Sequence, residues 1–153
     1  MFGFLKKEEF KIVAVIDGEL IPIQDVPDQM FSEKMMGDGY AIIPSGREVV
    51  APISGVVESV FPTGHAVGIR SKDGVECIIH VGLDTVELNG EGFCAQVKQG
   101  DKVKVGDSII LFDKESLEEK GYNLSVMVVF PSGYDHVFDL GRRQVVAKED
   151  LIS

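Results

Sequence analysis

The chain has 153 residues, 44% of them hydrophobic, which suits one compact domain with a sizeable core. Its 15 basic and 25 acidic residues leave a net charge of −10. That excludes a broad basic face for nucleic acid and favours a partner with a basic surface. No apolar run approaches the ~18 residues of a membrane span, and the opening Met1–Lys7 is too short for a secretory signal. The expectation is a cytoplasmic protein without stable membrane insertion.

Residues 1–11 read as a flexible N-terminal segment and residues 12–153 as a single domain. Short apolar runs then recur at Ile12–Ile16, Tyr40–Ile43, Val49–Ile53, Val56–Phe61, Ala66–Ile69, Val75–Val81, Ser108–Phe112 and Leu124–Phe130. Breakers stand between them, as at Pro44-Ser45-Gly46, Lys72-Asp73-Gly74 and Asn89-Gly90-Glu91-Gly92. This rhythm predicts an all-β fold, an antiparallel sandwich or barrel-sandwich hybrid. Asp28–Met35 and Ser116–Lys120 read as single helical turns, with Asp28 or Ser116 capping. In the C-terminal stretch, Gln144–Ala147 reads as an edge strand, and Ser132–Ser153 carries no functional signal.

A duplication is visible inside the domain. Val13-Ala-Val-Ile-Asp-Gly18 lines up with Val50-Ala-Pro-Ile-Ser-Gly55, and Gly37-Asp38 before Tyr40-Ala-Ile-Ile with Gly106-Asp107 before Ser108-Ile-Ile-Leu. Two related halves imply a pseudo-symmetric β-fold. The second copy carries an inserted stretch holding His65 and His80.

That stretch is the informative one. Apolar runs flank Asp73-Gly74, a hairpin signal in which glycine takes positive φ. A two-residue loop would pair Arg70 with Cys77, Val67 with His80 and His65 with Gly82. Because side chains alternate, Thr63, His65, Val67 and Ile69 would then share a face with Ile78 and His80. The two histidines would be diagonal neighbours roughly 7–8 Å apart at Cα. Ala66, Gly68, Cys77, Ile79 and Val81 would face the core, Cys77 as a packed, reduced thiol. A three-residue loop would slip the register and send the histidines to opposite faces. Apolar residues around the imidazoles suggest a docking surface for a protein.

Taken by itself, such a pair is compatible with ordinary strand histidines, with zinc, with acid–base chemistry or with phosphate carriage. Catalytic zinc needs three protein ligands, and His136 lies in a glycine-flanked stretch without a matching partner. Phosphoryl transfer suits the pair better. One neutral imidazole attacks, while the second and a hydroxyl such as Thr63 donate to the phosphoryl oxygens.

The run Gly74-Val-Glu-Cys-Ile-Ile-His-Val-Gly-Leu-Asp-Thr-Val86, continuing through Glu87-Leu-Asn-Gly-Glu-Gly-Phe93, resembles the phosphorylation-site motif of glucose-type enzyme IIA domains of the bacterial sugar phosphotransferase system. Asp25-Val-Pro-Asp28, Phe31, Gly37-Asp-Gly39, Pro44-Ser-Gly46, Val50-Ala-Pro52 and Gly100–Asp107 match in order, so the resemblance spans about residues 12–130. It implies an all-β sandwich with a duplicated half that accepts phosphate from the phosphocarrier HPr and passes it to the IIB domain of a sugar permease. His80 would carry the phosphoryl group on Nε2, His65 would steady it, and Thr63 would orient His65. Gly82 would fix the His80 tautomer through its carbonyl. Asp28 and Asp84 would line the rim to meet an arginine of HPr, with Phe31 and Phe61 in the apolar contact ring. No cofactor is implied beyond transient phosphohistidine; zinc could sit at His65 and His80 only if a partner supplied a further ligand. Gly68 and Ile78 stand where some relatives carry phenylalanine, which thins the docking ring.

Two other readings share parts of the pattern. Ala51–Val57 with the two Gly-Asp turns is similar to biotinyl and lipoyl carrier domains, with Lys72 near the hairpin tip, but that leaves the histidines without a role. A regulatory module of the same fold would bind target proteins according to the charge that phosphate adds to its face.

Overall fold

The structure, a computed structural model, describes residues 11–132 and 138–152. The segment expected at the N-terminus, apart from Lys11, and His136 lie outside these residues. The described residues form thirteen strands: β1 (Ile12–Val13), β2 (Gly18–Pro22), β3 (Asp38–Pro44), β4 (Glu48–Val50), β5 (Gly55–Val60), β6 (Ala66–Arg70), β7 (Glu76–Val81), β8 (Phe93–Ala95), β9 (Lys102–Val103), β10 (Ser108–Phe112), β11 (Val126–Phe130), β12 (Arg143–Val145) and β13 (Asp150–Ile152). Every pairing is antiparallel, as expected. An eight-stranded sheet runs β12-β2-β3-β11-β7-β6-β5-β9, a three-stranded sheet β4-β10-β8, and β1 pairs with β13.

Alternation divides the large sheet into two apolar faces. Leu20, Tyr40, Ile42, Val67, Ile69, Cys77, Ile79, Val81, Val126 and Val128 point inward and pack with Val49, Ile110 and Phe112 of the small sheet. Ile21, Ala41, Met127 and Val129 point the other way, into a smaller cluster completed by Ile23, Val26, Phe31 and Leu83. Helix α1 (Gln29–Ser32) belongs to that cover, and Asp28 caps it by accepting from the Met30 N–H at 2.9 Å. In the second helix, α2 (Lys114–Glu119), the cap is Asp113, not Ser116. Asp113 precedes the apolar Leu117 by one turn, whereas Ser116 already lies inside the helix.

The duplication has a backbone counterpart. Ala14 donates to the Glu149 carbonyl and accepts from Lys148 N, while Ala51 donates to the Asp107 carbonyl and accepts from Gly106 N. Asp17 Oδ1 takes the Ala147 N–H as Ser54 Oγ takes that of Val105. The segment 13–18 therefore does match 50–55. The partner of Gly106-Asp107, however, is Lys148-Glu149 rather than Gly37-Asp38. Lys148 holds the positive φ of 74° that Gly106 holds at 92°, and a lysine in that place hides the repeat from a search for glycines.

Tyr40 ties the first strand to the large sheet through a buried bond from its hydroxyl to the Val13 carbonyl, 2.8 Å long. Tyr40→Phe removes that buried bond and is expected to cost about 0.5–1.5 kcal/mol in urea unfolding. An unchanged midpoint and slope would show that the bond contributes nothing.

Candidate functional site

The β6–β7 hairpin decides where the histidines lie. Its loop holds three residues, Lys72-Asp73-Gly74, not two. Ser71 N bonds the Val75 carbonyl at 2.9 Å, Gly74 N bonds the Ser71 carbonyl at 3.0 Å, and Gly74 takes φ of 86°. The Ser71 hydroxyl accepts the Val75 N–H at 3.0 Å and locks this form. The register is therefore shifted by one from the expected pairing: Ala66 faces His80, Gly68 faces Ile78 and Ile69 faces Cys77.

The shift exchanges the faces of β6. Val67 and Ile69, expected in the docking ring, are fully buried between the sheets. Ala66 and Gly68 take their place on the His80 side, opposite Ile78, which is half-buried there. The histidines nevertheless stay together, contrary to the separation that a three-residue loop implied. His65 precedes β6, just after a turn in which Gly64 takes φ of 72° and donates to the Phe61 carbonyl at 2.7 Å. Strand alternation does not govern a side chain at that point. The two rings meet edge to face, with centroids 4.7 Å apart and planes at 82°.

His65 is 2% exposed. Its Nδ1 contacts Thr63 Oγ1, and its ring meets the edges of Phe61 at 5.6 Å and Phe93 at 6.2 Å. Burial lowers its pKa. If the threonine hydroxyl donates to Nδ1, the proton of the neutral ring sits on Nε2.

His80 is the penultimate residue of the central strand β7, between β6 and β11. Phe31 lies against its ring at 5.3 Å. Burial, reinforced by the neighbouring His65, pushes its pKa down to about 4, against the opposing influence of the Gly82 backbone and Asp28. Both imidazoles are thus neutral near pH 7. The sign of the Gly82 influence is that of a carbonyl oxygen near the ring. Nδ1 is buried and closes no hydrogen bond of full geometry.

The loop after β7 shapes the wall beside His80. Gly82 takes φ of 85°, and a Cβ there would lie 2.3 Å from the Thr85 methyl. The Thr85 hydroxyl donates to the Val81 carbonyl at 2.6 Å. Beyond the wall is an open depression of about 200 Å³ lined by Asp28, Met30, Phe31, Met36, His80, Asp84, Thr85 and Val86. Asp84 is exposed on its rim. Phe31 is 4% exposed and supports His80 from below rather than offering contact surface, because it fills the outer cluster. Phe61 is partly exposed, and Met30 (48%) and Val86 (57%) carry more of the exposed apolar rim. The sequence alone assigns no role to Met30, Val86 or Phe93, although Val86 and Phe93 lie within the matched run and Met30 precedes the matched Phe31. Among the described residues, no group of three His, Cys, Asp or Glu is placed to hold a metal ion.

Residues 10–135 match the family described as phosphoenolpyruvate-dependent sugar phosphotransferase system, EIIA 1. The chain belongs to this EIIA family. It is 49% identical over 137 residues to the glucose-specific EIIA component of Halalkalibacterium halodurans, covering 84% of this chain and 79% of that one. It is 44% identical over 149 residues to the protein of that name in Haemophilus influenzae, covering 96% and 89%. The glucose permease IIA structure from Mycoplasma capricolum superposes with a TM-score of 0.86 at 36% identity, covering 98% and 97% of the two chains. As an EIIA component, the chain is a phosphoryl carrier of the sugar phosphotransferase system. No described helix is long and apolar enough to cross a membrane.

The low pKa of His80 has a consequence for stability. The unfolded imidazole titrates near 6.5 and the folded one near 4, so the unfolded state binds more protons between those values. The His80 contribution to stability is full above about pH 6.5 and is lost as the pH drops toward 4. Replacing His80 with Gln removes part of this slope, on the order of 1–3 kcal/mol across the window, in urea titrations at several pH values. An identical slope in both proteins would mean that His80 titrates normally in the folded state.

Proposed function

We propose that His80 accepts the phosphoryl group on Nε2 from phosphorylated HPr and hands it to the IIB domain of a sugar permease. The observation that carries this reading is the contact of two neutral imidazoles inside an apolar rim. In the forward step, the Nε2 lone pair attacks phosphorus and a new N–P bond forms as the donor's bond to phosphorus breaks. The donor keeps that electron pair. Buried surroundings favour the uncharged, nucleophilic ring over the imidazolium.

His65 then acts as a donor. Its Nε2–H hydrogen-bonds the phosphoryl oxygens as charge accumulates on them, while Thr63 holds the ring from the other side. The threonine hydroxyl can donate to a neutral Nδ1 or accept from a charged one. It therefore supports His65 before and after the dianion arrives. Transfer onward reverses the geometry, with a nucleophile of IIB attacking phosphorus and His80 leaving as a neutral ring.

The rim fits protein partners. Met30, Phe61 and Val86 supply apolar contact, and Asp28 and Asp84 supply charge for a basic group such as an arginine of HPr. The relatives bear on the sugar without fixing it. Two are named for glucose, and a glucosamine-specific EIICBA component of Bacillus subtilis is 51% identical over 115 residues, covering 75% of this chain and 18% of that one. Selection of the sugar then resides in the membrane component, and the chain works on the cytoplasmic side.

Incubation with enzyme I, HPr and labelled phosphoenolpyruvate is expected to give an acid-labile label on the wild type and none on His80→Ala. His65→Ala should accept phosphate but donate it poorly to IIB; complete loss of acceptance would contradict its role as a stabiliser. Asp84→Lys should slow transfer from HPr roughly tenfold at low salt, and less at high salt. A rate equal to wild type at both would remove Asp84 from the interface.

A further inference from the structure

The strand pair β7–β11 ends in an exchange that is only half made. Register carries Gly82 opposite Ser125, one step beyond the Val81–Val126 pair. Gly82 N donates to the Ser125 carbonyl at 2.8 Å. In an antiparallel ladder the reciprocal bond, Ser125 N to the Gly82 carbonyl, normally accompanies it. Here Ser125 N instead donates to Asn123 Oδ1 at 2.9 Å, and the Ser125 hydroxyl donates to the same oxygen at 2.7 Å. The Asn123 main-chain carbonyl takes the Leu83 N–H at 2.9 Å.

We propose that Asn123 is a positioning residue for phosphoryl transfer: by occupying the Ser125 N–H, its side-chain oxygen keeps the Gly82 carbonyl out of the ladder and free for Nδ1 of His80. This rests on the reading of His80 as the phosphorylated residue. A nucleophilic Nε2 requires the ring proton on Nδ1, and a nearby acceptor is what holds it there. The Gly82 N–H is committed to Ser125, and φ of 85° turns the peptide away from ordinary strand geometry. Thr85 occupies the Val81 carbonyl, so that neighbouring acceptor already has a donor. The Gly82 carbonyl is thereby left for the imidazole, consistent with its favouring the protonated ring. Asn123 is exposed apart from these bonds, so its replacement disturbs no core contact.

The first test uses the wild type, free of phosphate. Couplings across hydrogen bonds, read by NMR, should connect Ser125 N to the Asn123 side-chain carbonyl. A coupling from Ser125 N to the Gly82 carbonyl would overturn the proposal. The second compares Asn123→Ala with Asn123→Asp, which keeps the acceptor. Long-range proton–nitrogen spectra of His80 should show the Nδ1–H tautomer in wild type and Asn123→Asp, and a gain of Nε2–H in Asn123→Ala. Acceptance from HPr should fall roughly tenfold in the alanine variant and recover in the aspartate one. An unchanged tautomer and rate in a folded Asn123→Ala would reduce Asn123 to a loop residue. If instead the wild type accepts no phosphate while the tautomers shift as stated, the positioning stands and the assignment of His80 as carrier fails.

Discussion

Keeping an imidazole uncharged at the end of a buried strand is the constraint on which the site depends. His80 loses most of its hydration to Phe31 and the outer cluster, and His65 loses nearly all of its own beside Phe61 and Phe93. Among the described residues neither ring is salt-bridged, so burial favours the neutral form of both. Edge-to-face contact places any group bound at one ring beside the other. The three-stranded sheet takes part as well, since Phe93 on β8 stacks on Phe112 and reaches His65.

The large sheet gives the site its rigidity by having two apolar faces. One packs into the main core, and the other needs only a short cover from α1 and the residues before it. Because that cover closes over only one side of His80, through Phe31, the ring lies at the margin of a packed cluster with a depression alongside. Asp28 serves twice: its carboxylate caps α1, and its charge stands within range of His80.

Fold class and the identity of the paired histidines were legible because they rest on local signals: β-branched runs, Gly-centred breakers and a long motif. Register was not. Asp73-Gly74 is a strong two-residue turn signal, but Ser71 contributes a side-chain bond that favours the longer loop. That single residue moved Val67 and Ile69 into the core. The histidines met anyway, because a glycine turn placed His65 outside the strand, where alternation no longer applies. Strands such as β2, β8, β9 and β13 escaped the reading because they are short or interrupted by glycine and charge. They acquire strand geometry only from their neighbours. The C-terminal repeat escaped because Lys148 and Glu149 occupy places where the earlier copy has Gly106 and Asp107.

The division of labour between the two rings is most directly tested by phosphorylating nitrogen-15-labelled protein through HPr and locating the phosphorus by its coupling to imidazole nitrogens. Phosphorus on Nε2 of His80, with the His65 ring unmodified and donating from its own Nε2, is the predicted result. Phosphorus on Nδ1 of His80, or on either nitrogen of His65, would contradict it.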